Sequence, residues 1–192
     1  MKLKKFAIGL GLLTISGLIS AETVSYKIDP THTATVFTWN HLGFSSPSAN
    51  FSDVQGTIQV DNDHPEKSSV SVTIPVKSIN TNVAVLDTKL QGSDWFNVAL
   101  YPNITFKSTK VETTDKKNFK ISGNLTVKGM TKPVVLDAVL NNQALHPMLK
   151  VPAIGFNAST TIKRSDFDIA AFAPAVSDTV DIQITTEALA VK

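Results

Sequence analysis

The sequence predicts an all-β chain, a barrel or sandwich of about eight antiparallel strands with one short helical insertion. Three observations carry that reading. Hydrophobic and polar residues alternate with a period of two along most of the chain, as they do in strands with one buried face and one wet face. Clusters of Asn, Asp, Thr, Lys, Gly and Pro separate the alternating runs, the chemistry of turns between short strands. A single stretch, residues 82–97, abandons the alternation for helical spacing.

The first element lies outside that fold. MKLKKFAIGLGLLTISGLISA carries Lys2, Lys4 and Lys5, then an apolar run over residues 6–19, then small residues ending at Ala21. That is the pattern of a secretory signal peptide, and the run is short and diluted for a membrane span. Cleavage after Ala21 leaves a mature chain of residues 22–192, expected to form a single domain in the periplasm. It removes three lysines and no acids from 18 basic and 16 acidic side chains, leaving 15 against 16, a formal charge of −1. No nucleic-acid partner is expected from that balance. There is no cysteine, so thiolate metal sites and cysteine nucleophiles are excluded and the exported chain must hold together by packing.

The strands follow in order. Val24, Tyr26 and Ile28 begin the alternation. In HTATVFTWNHLGF, residues 32–44, Thr33, Thr35, Phe37, Trp39 and His41 share one face, and His32, Ala34, Val36, Thr38 and Asn40 share the other. Residues 53–61 carry Ile58 and Val60, and SVSVTIPV aligns Val70, Val72, Ile74 and Val76. Further strands are expected over 103–112, 118–128, 133–141, 154–163 and 179–187, with turns at 61–65, 113–117, 128–130 and 141–143. Between them, Val83, Leu86 and Leu90 recur at helical spacing, Gly92 can end the helix, and Ser93 and Asp94 can start a second short turn. Such a segment would cover an open end or an outer face of a barrel, with Trp95 and Phe96 placed to plug or gate it.

Reactive chemistry is hard to find. His32 and His41, with Asp29, are candidate zinc or copper ligands. Nine positions apart on one uninterrupted strand, however, their rings face opposite sides, so no metal site is assigned. Asp166 and Asp168 share a strand face in KRSDFDI, where a solvated face or one paired with Arg164 is the expected role. No nucleophile elbow, H-E-x-x-H helix, calcium loop or phosphate loop occurs in the mature chain, and no catalytic residue is assigned. What stands out is the aromatic supply: Phe37, Trp39, Phe44, Phe51, Trp95, Phe96, Phe106, Phe156, Phe167 and Phe172. These can fill a core or line a cavity, and a barrel of about eight strands is of the size at which either occurs.

Six stretches together resemble the YceI-like family: YKIDPTHTATVFTWNHLGFS, ANFSDVQGTI, SVSVTIPVKSINTN, DTKLQGSDWFNVALYPNITFKST, ISGNLTVKGMTKPVVLDA and IGFNASTTIKRSDFDI. The resemblance implies a bacterial periplasmic, lipocalin-like antiparallel β-barrel that binds long polyisoprenoid lipids, isoprenoid quinones among them, in an internal channel. It implies no enzyme activity and no cofactor other than the bound lipid or quinone. The implied ligand-binding residues are Phe37, Trp39, His41, Phe44, Phe51, Leu90, Trp95, Phe96, Phe106, Phe156 and Phe167, with Arg164, Asp166 and Phe167 in a late R-x-D-F strand. An isoprenoid lipid is the implied partner, with transient contact to a membrane or respiratory proteins and a monomeric or homodimeric state. The chain departs from its relatives where they commonly carry Arg and His in the helix, here Leu86 and Lys89. It departs again where they carry Gly and Phe, here Ala49 and Val54, and where they carry Gly, here Asp168. Two other functions compete with lipid binding: a redox or metal accessory enzyme using His32, His41 and Asp29, and a filled barrel acting as a stress or interaction module.

Overall fold

In the computed structural model, which describes residues 23–191, the alternation becomes a closed antiparallel barrel. The expected signal peptide, residues 1–21, lies outside the described residues. Eleven strand segments build eight staves. β1 (Val24–Ile28) and β2 (Ala34–His41) form the first stave, β3 (Ser48–Phe51) and β4 (Gln55–Val60) the second, β5 (Ser69–Pro75) and β6 (Ile79–Asn80) the third. β7 (Asn103–Thr113), β8 (Asn118–Val127), β9 (Met130–Leu145), β10 (Pro152–Lys163) and β11 (Val176–Ala190) supply one stave each. Every stave pairs with its neighbour in sequence. β11 then closes the ring on the first stave, meeting β1 at Ala188↔Ile28 and β2 at Ile182↔Phe37. Closure leaves no long unpaired edge.

The first stave breaks at the 3-10 turn Pro30–His32. Proline lacks the N–H that a strand would need there, and Asp29 caps the turn by accepting from the Thr31 N–H at 2.9 Å. β2 therefore begins at Ala34 and not at His32, which corrects the single-strand argument about the two histidines. His32 and His41 lie at opposite ends of β2, roughly 25 Å apart by strand rise, too far to share a metal ion.

Three further expectations change. β9 runs on to Leu145 through the Asn141–Gln143 positions read as a turn. There Asn141 is the extra residue of a β-bulge on β9, opposite Gly155 and Phe156 of β10, and its side chain donates across to Asn157 Oδ1 at 3.0 Å. The short segments β3 and β6 carried too few alternating residues to register in the sequence. Arg164–Phe167 forms a 3-10 turn in place of a strand, so Asp166 and Asp168 share no strand face. Asp168 ends that turn at φ +57, a backbone that Asp tolerates and Gly adopts freely, in keeping with the Gly that the resemblance implies there.

Other expectations hold. Lys128 at φ +49 and Gly129 at φ +75 make the two-residue hairpin between β8 and β9. The helix α1 (Ala84–Gln91) ends at Gly92, as its spacing predicts. Asp87 braces it by accepting from both the N–H and the hydroxyl of Thr81 at 2.7 Å. Leu90 is buried in one cluster with Phe51, Val54, Ile79 and Phe167, and Leu86, Trp95 and Phe96 pack against it. The helix thus lies across one end of the barrel, called here the helix end.

Candidate functional site

Inward positions along the staves are nearly all hydrocarbon. Val70, Val72 and Ile74 on β5, Ile121 and Leu125 on β8, and Ile182 and Ile184 on β11 face the barrel interior, as the period of two requires. In a filled barrel such side chains would be fully buried. Here Phe119, Ile121, Leu125, Leu136, Phe156 and Ile182 are only half-buried, because their tips face a void instead of one another. That void is a cavity of about 900 Å³, at the upper end of the range for small-molecule pockets. Two packed clusters bound it, the one beneath the helix and a second, at the far end, formed by Tyr26, Ile28, Ile58, Ile154 and Ala188. The barrel is packed beneath its walls at both ends and hollow along its centre.

Ten of the eleven nominated residues line the cavity: Phe37, Trp39, His41, Phe51, Leu90, Trp95, Phe96, Phe106, Phe156 and Phe167. Phe44 does not. Leu42 at φ +58 and Gly43 at φ +76 reverse the chain after β2, with His41 N–H donating to Ser45 O at 2.8 Å, and the Phe44 side chain is left 91% exposed. The turn, not the residue type, decides its place. Aromatic rings at the helix end touch in series: Trp39 to Phe37 at 5.8 Å, Phe37 to Phe51 at 5.4 Å, and Phe51 to Phe96 edge-on at 5.9 Å. Sequence reasoning centred on aromatics misses most of the aliphatic wall, although the alternation that marks the strands also fixes which side chains face inward. Phe172, counted in the aromatic supply but left out of the ligand-binding set, also lines the cavity, from a loop where no periodicity could place it.

Polar groups enter the wall sparingly. The Thr33 and Thr186 hydroxyls bond each other at 3.0 Å. Arg164, 7% exposed, donates through Nη1 to Ile169 O at 2.6 Å, through Nη2 to Val176 O at 2.8 Å and through Nε to Ser177 O at 2.8 Å. Its guanidinium lies 5.6 Å from the Trp95 ring. Burial pulls Arg164 below the usual arginine range while Asp178 pulls it back up, and guanidinium stays charged regardless. Asp178 is itself held low, first by the Ser165 hydroxyl at 2.7 Å. Arg164 therefore ties the 164–177 loop to the barrel wall and spends three donors on backbone.

The Asp29, Thr31 and His32 trio does not form a nucleophile, base and acid relay. His32 Nδ1 meets Asp29 Oδ2 at 2.8 Å and the Thr31 hydroxyl at 3.1 Å. A relay needs carboxylate and hydroxyl on opposite ring nitrogens; here both crowd the same one. The arrangement is that of a turn cap.

The two ends of the cavity differ. At the helix end, Leu42, Val83 and Phe172 both line the void and stand 50%, 53% and 63% exposed, forming an apolar rim. At the far end, the lining residues are Asp61, Asn62, Ser68, Lys116 and Gln143. Exposed apolar side chains rim one end, and polar side chains bonded to one another cross the other.

With this geometry in hand, the relatives are informative. A family model described as a YceI-like domain matches residues 26–188. The chain belongs to the YceI-like family. A UPF0312 protein of Enterobacter sp. (strain 638) is 39% identical over 190 residues, covering 97% of each chain. A solved YCEI protein from Campylobacter jejuni is 34% identical, covers 80% of this chain and 90% of its own, and has a TM-score of 0.72. A polyisoprenoid binding domain from Saccharophagus degradans, 15% identical, covers 88% of this chain and 99% of its own with a TM-score of 0.68, and shares the fold. The lipocalin-like barrel expected from the sequence is the fold of this YceI-like chain.

Leu86 and Lys89, where the resemblance implies Arg and His, both line the cavity at the helix end. Lys89 Nζ sits 5.0 Å from the centre of the Phe172 ring, which also stacks on Trp95 at 6.4 Å. Phe172 adopts φ +62, a costly backbone for an aromatic residue that packing must hold in place. Ala49 and Val54 are both buried, and Val54 lines the cavity.

Proposed function

We propose that this YceI-like chain binds a long-chain polyisoprenoid lipid or isoprenoid quinone inside the barrel and stores or carries it in the periplasm. One observation carries the reading: a continuous, almost wholly hydrocarbon cavity of about 900 Å³ with an apolar rim at one end. Each methylene buried there contributes about 0.8 kcal/mol. Some ten of them supply about 8 kcal/mol, comparable with the roughly 4–15 kcal/mol cost of association. A longer tail binds tightly with no charged contact. The polar groups near the rim, His41 and Lys89, are left to choose the headgroup.

The printed description of the Saccharophagus degradans neighbour as a polyisoprenoid binding domain supports the ligand class. The signal-peptide pattern of residues 1–21 supports the periplasm. Binding without chemistry also fits the Asp29, Thr31 and His32 geometry. Exchange of the lipid with a membrane or a respiratory protein would take place at the rim of Leu42, Val83 and Phe172, by a monomer or a homodimer. Native mass spectrometry of the mature protein purified without detergent tests the reading. A copurifying isoprenoid, or uptake of added quinone or polyprenyl lipid, is the expected result; the absence of both would overturn it.

A further inference from the structure

The floor of the cavity is built, and it spans the barrel. Gln143, near the end of β9, donates through Nε2 to Asn62 Oδ1 at 3.0 Å and to the buried Tyr26 hydroxyl at 3.3 Å. Lys116 Nζ donates to the Asn62 carbonyl at 2.9 Å. Tyr26 belongs to the first stave, Asn62 to the turn between β4 and β5, Lys116 to the turn between β7 and β8, and Gln143 to β9. These bonds therefore stretch across the open end of the ring. Asn62, Lys116 and Gln143 line the cavity and also touch bulk solvent, so the floor is one side chain thick.

Each contributing turn is held by an aspartate. Asp61 Oδ1 accepts from the N–H groups of Asp63 at 3.1 Å and His64 at 2.8 Å, fixing the loop that presents Asn62. Asp115 accepts from the N–H groups of Lys117 at 2.9 Å and Asn118 at 2.7 Å and from the Asn118 side chain at 2.6 Å. Lys116 is thereby set at φ +56 with its ammonium reaching Asn62. Beneath an apolar channel stands a preorganised polar bar.

We infer that this bar of Gln143, Asn62 and Lys116 is a length gauge, setting the longest apolar tail that the barrel accepts. The inference rests on the lipid-binding reading and adds to it the determinant of chain length. A tail entering from the helix end gains affinity with every carbon until it reaches the floor. One further unit must part hydrogen bonds between polar groups that hydrocarbon cannot satisfy. The affinity then stops rising and falls.

A graded series of linear polyprenols, titrated into the delipidated mature protein, provides the test. The wild type should bind more tightly with length up to a limit and lose at least tenfold beyond it. Gln143→Ala, at an exposed position, should move the limit to longer tails. Asn62→Ala, which also breaks the contact with Gln143, should act in the same direction. Affinity that climbs through the whole series in the wild type, or a limit unchanged in both variants, would overturn the inference alone. Absence of binding at every length would overturn it together with the reading on which it rests.

Discussion

Asp29 and Phe37 illustrate two ways in which single residues hold this barrel. The Asp29 carboxylate is drawn down to about 2, first by the Thr31 hydroxyl and then by His32, and the same contact raises His32 above its ordinary 6.5. Asp29 thus supports the turn at pH values above its ordinary 3.8, and that support fades as pH falls toward 2. His32 supports it fully below 6.5 and loses the effect as pH rises through its elevated folded value. The turn is held best between roughly pH 4 and 6.5. Both groups face solvent, so titration is a sharper readout than unfolding. An NMR titration should place His32 above 6.5, and Asp29→Asn should bring it back toward that value; an unmoved His32 would dismiss the ion pair. Phe37 acts by packing, since its ring meets both Trp39 and Phe51. Phe37→Asp or Trp39→Asp would set a charge into hydrocarbon. Each should cut retained lipid at least tenfold or unfold the chain, as read by mass spectrometry alongside circular dichroism. Near-normal behaviour of both would mean that this face meets water.

Elements were legible in proportion to the length and regularity of their pattern. β5 carries three inward residues and β8 four at strict alternation, and the sequence places them within a residue or two. α1 was legible because Val83, Leu86, Leu90 and Gly92 mark its face and its end. β3 and β6, with four residues and two, offer no period to detect, and the Pro30 break hid inside an alternating run that continues on either side. The Asn141–Gln143 stretch misled for a chemical reason. Residues that favour turns were used there for bonds across strands and across the barrel end. β7 and β8 add a constraint that only coordinates expose. Gly123 on β8 lies beneath the Phe106 ring, and a methyl there would overlap it. Gly123→Ala should destabilise the fold by about 1–3 kcal/mol, read as a lower denaturation midpoint; a neutral result would mean that the ring swings freely into the channel.

At the scale of the whole molecule, the sequence left one question that alternation could not answer. A filled barrel and a hollow one show the same period of two, and only the summed volume of inward side chains against barrel girth separates them. Half-buried Ile121, Leu125, Leu136 and Ile182 give the answer in the structure. A protein whose centre is empty lacks the interior contacts of an ordinary domain, and a lipid bound as proposed would supply them. Stripping the lipid should therefore lower the melting temperature. Restoring ligand at a hundredfold excess over Kd should return about 2.7 kcal/mol, or roughly 5–10 °C for a chain of this size; identical melting curves with and without lipid would count against a hollow centre. The consequence reaches beyond the test tube. If the barrel carries lipid as proposed, unloaded molecules would open more often and be removed first by proteases, so turnover would match the number of vessels to the supply of what they carry.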